Sequence, residues 1–175
     1  MKIKLNNVRL SFPSMFHKAV FNGKETKYEA TFLLDKDKNA DKIEEINEAI
    51  KSMIKTGLKG AKLGPDKICM KDGDDIAYDG YGNTMSFKAS SQKRPMVLDR
   101  DKSSLAEEDN RLYAGCYVNA SVELWPQNNE YGKRINANLL AVQFFKDGKP
   151  FSDGVTASLN DFDAFDDNAE DVDFM

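Results

Sequence analysis

The sequence is poor in the side chains on which much enzyme chemistry depends. It contains one histidine and two cysteines among 175 residues, so a metal site or proton relay built from several histidines is excluded. Cys69 and Cys116 lie far apart and form no CxxC pair, which indicates free thiols in a reducing compartment. Neither GxxxxGKS/T nor GxGxxG occurs, so no phosphate-binding glycine loop is indicated. These absences predict a protein that is not an enzyme and uses no cofactor or metal.

Long apolar runs are also missing. Residues 1–5 alternate apolar and charged side chains, unlike the start of a signal peptide. No stretch approaches the roughly 20 apolar residues of a membrane-spanning helix. We therefore expect a soluble, intracellular protein. The length and the 41% hydrophobic content are enough for one domain with a sizeable core, which we place at residues 1–160.

Basic residues are absent from the last fifteen positions, in contrast to the rest of the chain. Residues 161–175 hold seven acidic side chains and three phenylalanines. The whole chain has 25 Lys+Arg and 29 Asp+Glu, so residues 1–160 carry a net charge of +3. A basic body with an acidic tail is typical of nucleic-acid binders and of interaction tails. We predict a disordered tail at residues 161–175 that binds a partner, competes for a basic groove or only adds solubility.

The hydrophobic periodicity predicts a mainly β protein. In residues 2–12 apolar side chains occur at every second position, which predicts a strand with one buried face that includes Phe12. The pattern slips at Asn6-Asn7, where we expect a bulge. Similar patterns predict strands at residues 26–34, 84–91, 96–98, 116–125 and 135–145. Many short alternating strands indicate a closed or nearly closed antiparallel barrel.

The remaining segments are one helix and several loops. Isoleucines and Met53 recur at helical spacing over residues 40–56, and Gly57 follows as a stop signal. Residues 57–83 are rich in Gly and Asp and predict a long loop with a short strand. The polar residues 126–134 predict a long hairpin loop between the last two strands.

Aromatic and basic side chains on the strands and loops favour binding of single-stranded nucleic acid, in which bases stack on rings and Lys or Arg contact phosphates. Tyr117 and Trp125 lie on the polar face of the strand at 116–125; each ring either stacks on bases or caps the core. Phe16 and Phe21 lie in a lysine-bearing loop and could form a mobile clamp. The candidate nucleic-acid-binding residues are Arg9, Phe16, Lys18, Phe21, Lys88, Arg94, Arg111, Tyr117, Trp125, Lys133 and Arg134.

Three stretches resemble a family of single-stranded DNA-binding proteins of tailed phages and prophages, long a family of unknown function. They are Leu10-Ser-Phe-Pro-Ser-Met-Phe16, Arg111-Leu-Tyr-Ala-Gly-Cys-Tyr-Val-Asn-Ala-Ser-Val122 and Asn138-Leu-Leu-Ala-Val-Gln-Phe-Phe-Lys-Asp-Gly148. The similarity spans most of residues 1–150. Its most specific part is the run from Tyr113 to Ala120.

The resemblance implies an OB-fold-type barrel with a hairpin extension that binds single-stranded DNA without sequence preference. It further implies a role in phage DNA replication or recombination, in the cytoplasm of a bacterial host. We expect the tail to compete with DNA and to recruit replication or recombination proteins through Asp166, Asp167, Asp171, Asp173 and Phe174. Met175 follows Phe174, so the chain departs from tails that end near an aromatic residue. The sequence leaves homodimer formation open.

Two other functions are open on the sequence alone. The net charge of −4 and the isoelectric point near 5.1 allow an acidic adaptor or nucleic-acid mimic that binds a protein. The aspartates of residues 72–79 allow a metal-dependent hydrolase, although Ile76 and Ala77 stand where a calcium loop needs a ligand and a glycine. Stacking and phosphate contacts also leave the choice between DNA and RNA open.

Overall fold

The structure is a computed structural model that describes residues 1–151 and 162–165. Within these residues it contains nine strands and one α-helix. In chain order they are β1 (Lys2–Ser14), β2 (Val20–Phe21), β3 (Lys24–Glu25), β4 (Tyr28–Asp35), α1 (Ala40–Gly57), β5 (Met70–Asp72), β6 (Thr84–Ser91), β7 (Met96–Leu98), β8 (Tyr117–Asn129) and β9 (Gly132–Lys146).

Five of the strands close into a barrel. β1 pairs antiparallel with β4 and β8, β4 with β6, and β8 with β9. A parallel bridge between Ser90 of β6 and Asn138 of β9 completes the ring. The segment leading into β5 adds to this closure, because Cys69 N–H donates to Ile135 O (3.0 Å) and Cys69 O accepts from Lys88 N–H (3.0 Å). A closed five-stranded barrel is the OB-fold architecture, which confirms the predicted fold class.

The barrel interior follows the alternation that the sequence shows. On β1 the side chains of Ile3, Leu5, Val8 and Leu10 are buried. The pairing with β8 shifts register between Leu5 and Val8, and Asn7 has a positive φ of 52°. This is the predicted bulge at the asparagines: the extra residue returns Val8 to the buried face.

Helix α1 begins at Ala40, as predicted, and ends at Gly57, one residue beyond the prediction. Its buried side chains Ile46, Ala49 and Ile50 join the same core as the barrel strands, and it contacts β8 and β9. Within the described part of the chain, no helix is both long enough and apolar enough to cross a membrane.

The side chain of Phe12 does not enter the core, which contradicts the alternation prediction. Its φ is 45°, and its side chain is 54% exposed. The pairing of β1 with β4 shifts register between Ser11 and Ser14. This second irregularity reverses the side-chain direction at Phe12, because a one-residue shift moves a side chain to the opposite face.

The predicted long loop at residues 126–134 is also wrong, because β8 and β9 continue as a hairpin to a two-residue turn at Glu130 and Tyr131. Pro126 is tolerated within β8 because of its position. Leu124 N–H donates to Met1 O at the start of β1, so the nitrogen of Pro126, two residues on, points to the same side, past the end of β1. No ladder hydrogen bond is lost there.

Candidate nucleic-acid interface

A groove crosses the outer face of β4 and β6. Its floor consists of the outward side chains of these strands, with Thr31 opposite Lys88 and Glu29 opposite Ser90. The cavity volume is about 580 Å³. We call this groove the trough. Its lining residues are Phe12, Glu29, Thr31, Asp66, Lys67, Ile68, Cys69, Lys71, Ile76, Tyr78, Tyr81, Ser86, Lys88, Ser90, Arg134, Asn136 and Ala137.

Three aromatic rings form one wall of the trough. The ring centre of Phe12 is 5.1 Å from that of Tyr78, and the centre of Tyr78 is 5.4 Å from that of Tyr81, both in edge-to-face arrangement. We call these three residues the aromatic row. Tyr81 is only 3% exposed, and its hydroxyl lies 2.7 Å from Ser11 Oγ; burial raises its pKa. Tyr78 is 58% exposed, so Tyr78 and Phe12 present ring surface to solvent.

The loop that carries Tyr78 and Tyr81 is fastened at its base by ion pairs. Lys36 Nζ lies 2.8 Å from Asp72 Oδ1 and 2.6 Å from Asp74 Oδ2, and Asn83 N–H donates to Asp74 Oδ1 at 2.7 Å. Hydrogen bonding to Lys36 lowers the pKa of Asp72 and of Asp74. The same two carboxylates raise the pKa of Lys36 to about 12.

These contacts remove the basis of the metal-dependent hydrolase hypothesis. Asp72 and Asp74 contact a lysine instead of converging on an open site. Among residues 1–151 and 162–165, no cluster of three or more His, Cys, Asp or Glu side chains is arranged to hold a metal ion. Asp72 and Asp74 therefore act as structural anchors for the loop that carries Tyr78 and Tyr81.

The floor and the opposite wall of the trough carry more basic than acidic side chains: Lys67, Lys71, Lys88 and Arg134 against Glu29 and Asp66. Lys71 extends from β5, and it has no ion-pair partner within the described residues. Lys88 Nζ lies 3.4 Å from Glu29 Oε2, a pair that water screens. Arg134 on β9 donates to Asp66 O at 3.3 Å. Lys133 and the 79% exposed Tyr131 lie next to them at the end of the β8–β9 hairpin.

The trough continues toward the β2–β3 hairpin. A second cavity of about 510 Å³ shares Glu29, Lys88 and Ser90 with the trough and extends it to Lys27 and Gln92. Beyond it, Lys18 Nζ lies 3.5 Å from Gln92 Oε1 and 5.9 Å from the ring centre of Tyr28. The continuous path therefore runs from the β8–β9 hairpin to the β1–β4 connection.

Two aromatic candidates of the β1–β4 connection lie in different environments. The ring of Phe16 is half-buried against the core, with the Arg94 guanidinium 5.6 Å from its centre. Phe21 is 70% exposed next to a tight turn in which Asn22 and Gly23 have positive φ. Only Phe21 has the exposure that a clamp residue needs.

Three candidate residues, Arg9, Arg111 and Tyr117, contact other parts of the protein, and a fourth, Trp125, is half-buried. Arg111 lies 3.1 Å from Asp99 Oδ1 and 4.2 Å from the ring centre of Phe144. Arg9 donates to the backbone oxygens of Gly115 and Lys149. Its guanidinium and the Lys146 ammonium both lie near the ring of Tyr117. The indole nitrogen of Trp125 is buried, with no hydrogen-bond partner among the described residues.

Sequence reasoning missed Phe12, Tyr78 and Lys71 as surface residues of the trough. The loop sequence Tyr78-Asp-Gly-Tyr81 looks like a turn, and nothing local places it beside β1. The tail candidates Asp166, Asp167, Asp171, Asp173 and Phe174 lie outside the described residues, so the structure does not test them. The described residues 162–165 include Phe162 and Phe165, both exposed.

A closed five-stranded barrel with a basic, aromatic-edged groove on the face of its second and third strands is the OB-type nucleic-acid-binding class. Within that class, the chain belongs to the family described as Enterobacter phage Enc34, ssDNA-binding protein, which it matches over residues 1–175. The function of this family is binding and not catalysis, which confirms the prediction that the protein is not an enzyme.

Two relatives and one further solved structure are similar to the chain. Protein p50 of Acyrthosiphon pisum secondary endosymbiont phage 1 is 44% identical over 173 residues, 93% of each chain. The single-stranded DNA-binding protein of bacteriophage Enc34, in complex with ssDNA, is 34% identical with a TM-score of 0.77, over 86% of this chain and 89% of that chain. The gp2.5 single-stranded DNA-binding protein of bacteriophage T7 is 13% identical with a TM-score of 0.50, over 90% of this chain and 98% of that chain. This last likeness concerns the fold alone.

Proposed function

We propose that the protein binds single-stranded DNA along the trough, without sequence preference. The observation that carries this proposal is the pair of exposed rings, Phe12 and Tyr78, beside a floor that contains Lys71 and Lys88. Family membership and the DNA complex of the Enc34 phage protein support the choice of DNA as the ligand.

In this mechanism the aromatic wall binds the bases, and the floor and the opposite wall bind the phosphates. Bases stack on Phe12 and Tyr78, and each stacked base contributes about 1–3 kcal/mol whatever its identity, because every base has a π face. Lys71, Lys88 and Arg134 contact phosphates and release counterions. Five residue steps of β6, from Ser86 to Ser91, give the floor a length of roughly 17 Å. Lys18, Lys27 and the exposed Phe21 extend this path over the β2–β3 hairpin.

The tail at residues 161–175 has a regulatory role in this proposal. Its seven acidic side chains compete with DNA phosphates for the cations of the trough and become available to replication or recombination proteins when DNA fills the trough. The opposite net charges of the tail and of residues 1–160 support this competition. The protein thus acts in phage DNA replication or recombination in the cytoplasm of the bacterial host.

Fluorescence anisotropy tests DNA binding directly. A labelled thymidine oligonucleotide is titrated with the full chain, and a duplex of equal length and a single-stranded RNA are used as competitors. We expect saturable binding of the single strand that weakens as salt rises and weak competition by the duplex. Absence of binding at low salt, both for the full chain and for residues 1–160, would leave the adaptor function ahead.

A tail deletion tests the competition. Residues 1–160 should bind the oligonucleotide more tightly than the full chain, most clearly at low salt, because screening weakens the tail's attraction to the trough. A matched variant with all seven tail acids changed to the corresponding amides keeps the length and the phenylalanines. It should bind like the deletion. Equal affinity of all three proteins contradicts the competition.

A further inference from the structure

The five residues after β9 are fastened to the barrel and end beside the aromatic row. The hydroxyl of Tyr113 accepts from Gly148 N–H at 3.0 Å and lies 3.0 Å from Asp147 Oδ1. Phe151 N–H donates to Ala114 O at 3.1 Å. Hydrogen bonds at both ends of this short segment fix its course across the surface.

Arg9 of β1 also contacts the segment of residues 147–151. Its Nε donates to Gly115 O at 3.0 Å, and its Nη2 donates to Lys149 O. The guanidinium lies 4.1 Å from the ring centre of Phe151, which is a cation–π contact. The half-buried ring of Phe151 is therefore held on β1 by a side chain whose own donors are engaged by the backbone.

The ring of Phe151 also packs on Gly80. Gly80 has a φ of +84°, and a β-carbon at this position would overlap the Phe151 ring. Gly80 stands between Tyr78 and Tyr81 in the chain. The ring of Phe151 thus contacts the backbone of the loop two residues after Tyr78.

We propose that Phe151 is a positioning residue for single-stranded DNA: its ring supports Gly80 and so holds Tyr78 at the edge of the trough beside Phe12. This inference rests on the proposed function. Tyr78 is 58% exposed, and its ring makes edge-to-face contacts with Phe12 and Tyr81. A half-exposed ring on a loop loses conformational freedom when a base stacks on it. Support from Phe151 restricts the ring of Tyr78 before DNA binds and so lowers the entropic cost of binding.

A double-mutant cycle in the full chain tests this role. The affinity for a thymidine oligonucleotide is measured for the wild type, Phe151→Ala, Tyr78→Ala and the double variant, at a temperature where all four are folded. We expect Phe151→Ala to weaken binding several-fold and to add nothing in the Tyr78→Ala background, because residues that act through one contact are not additive.

Salt dependence separates positioning from loss of phosphate contacts. Phe151→Ala should leave the slope of log K against log[salt] unchanged, because no phosphate contact is removed. Phe145→Ala is the matched control: its ring lies 5.8 Å from the Arg100 guanidinium and outside the aromatic row, so its loss should not change affinity. The loss caused by Phe151→Ala should also persist when residues 161–175 are deleted.

Several results would overturn the inference. They are unchanged affinity in Phe151→Ala, full additivity with Tyr78→Ala, a changed salt slope, or an effect that disappears when the tail is deleted. Failure of the proposed function has a different signature. In that case Tyr78→Ala itself does not change affinity, or the wild type binds no single strand.

Discussion

Two outward faces of the barrel, the β8–β9 face and the trough, carry polar side chains and aromatic rings, but they differ in how many of these side chains are free to contact a ligand. On β8 and β9, Asn119 Nδ2 donates to Gln143 Oε1 at 3.2 Å, and Asn138 Nδ2 donates to Glu123 Oε1 at 3.1 Å. Trp125, on the same face, is half-buried. On this face the amide side chains pair with neighbouring side chains, and the two polar atoms without a hydrogen-bond partner among the described residues, Ser121 Oγ and Trp125 Nε1, are buried.

The trough face leaves comparable groups available to a ligand. Phe12 and Tyr78 are each more than half exposed, and Lys71 has no ion-pair partner in the described part of the chain. A binding face is therefore distinguished by rings and cations that the fold leaves free, and not by its content of aromatic and polar residues. A face whose donors and acceptors are already paired gains little from a ligand.

The largest expected difference between the two faces concerns their aromatic rings. Phe12→Ala and Tyr78→Ala should each weaken binding of single-stranded DNA by about 1–3 kcal/mol, because each removes one stacking surface. On the β8 face, Trp125→Leu should leave affinity unchanged. Fluorescence anisotropy gives the affinities, and circular dichroism confirms the fold of each variant. An equal loss in Trp125→Leu would erase the distinction between the faces.

The second difference concerns cations and is read from salt dependence. Lys71→Gln or Arg134→Gln should each reduce the magnitude of the slope of log K against log[salt] by about 0.7, the contribution of one phosphate contact on a single strand. Lys2 and Lys4 stand opposite Glu123 and Ser121 of β8, so Lys2→Gln and Lys4→Gln are the matched controls. A slope that falls equally in these controls would mean that DNA also follows the β8 face.

The smallest expected difference is the acid sensitivity of the two faces. Asp72 and Asp74 have lowered pKa values because of Lys36, so their pairs stabilise the folded loop at pH values above about 4, the ordinary range of an aspartate. This stabilisation is lost as the pH falls through the lowered folded-state pKa values. The hydrogen bond between the neutral amides of Asn119 and Gln143 on the β8 face lacks this dependence.

Hydrogen exchange of single amides measures this last effect. Between pH 5 and pH 3, Asn83 N–H, which donates to Asp74, should lose protection relative to the intrinsic exchange rate, while amides of β8 keep theirs. Lys36→Met should remove the protection of Asn83 already at neutral pH. Retained protection of Asn83 in Lys36→Met would show that the loop does not depend on these pairs.

Much of the fold could be predicted because it follows from local alternation. The strand at residues 84–91 and the short strand at residues 96–98 have the predicted bounds. The bulge at Asn6-Asn7 was visible because the apolar period slips there by one residue. The hairpin at residues 126–134 was mistaken for a loop because the stretch is polar and starts with Pro126. Pro126 is compatible with β8 only because its nitrogen points past the end of β1, and the sequence does not show this.

The candidate site was predictable only in part. Lys88 and Arg134 were chosen for their closeness to predicted strands, and the structure places both in the trough. Phe12 was assigned to the core because alternation alone does not reveal the shift in β1–β4 pairing between Ser11 and Ser14. Arg111 was chosen on the same grounds as Lys88, and Tyr117 as an aromatic ring on the polar face of a strand, but tertiary contacts engage both.

The sequence by itself determined the barrel class, most of the strand faces and the charge contrast between residues 1–160 and 161–175, because periodicity and composition are local properties. Only the tertiary structure decided which polar face is open to a ligand. That choice depends on contacts between residues far apart in the chain: Lys36 with Asp74, Ser11 with Tyr81 and Phe151 with Gly80. Such contacts leave no periodic trace in the sequence, because each involves single residues brought together by barrel closure.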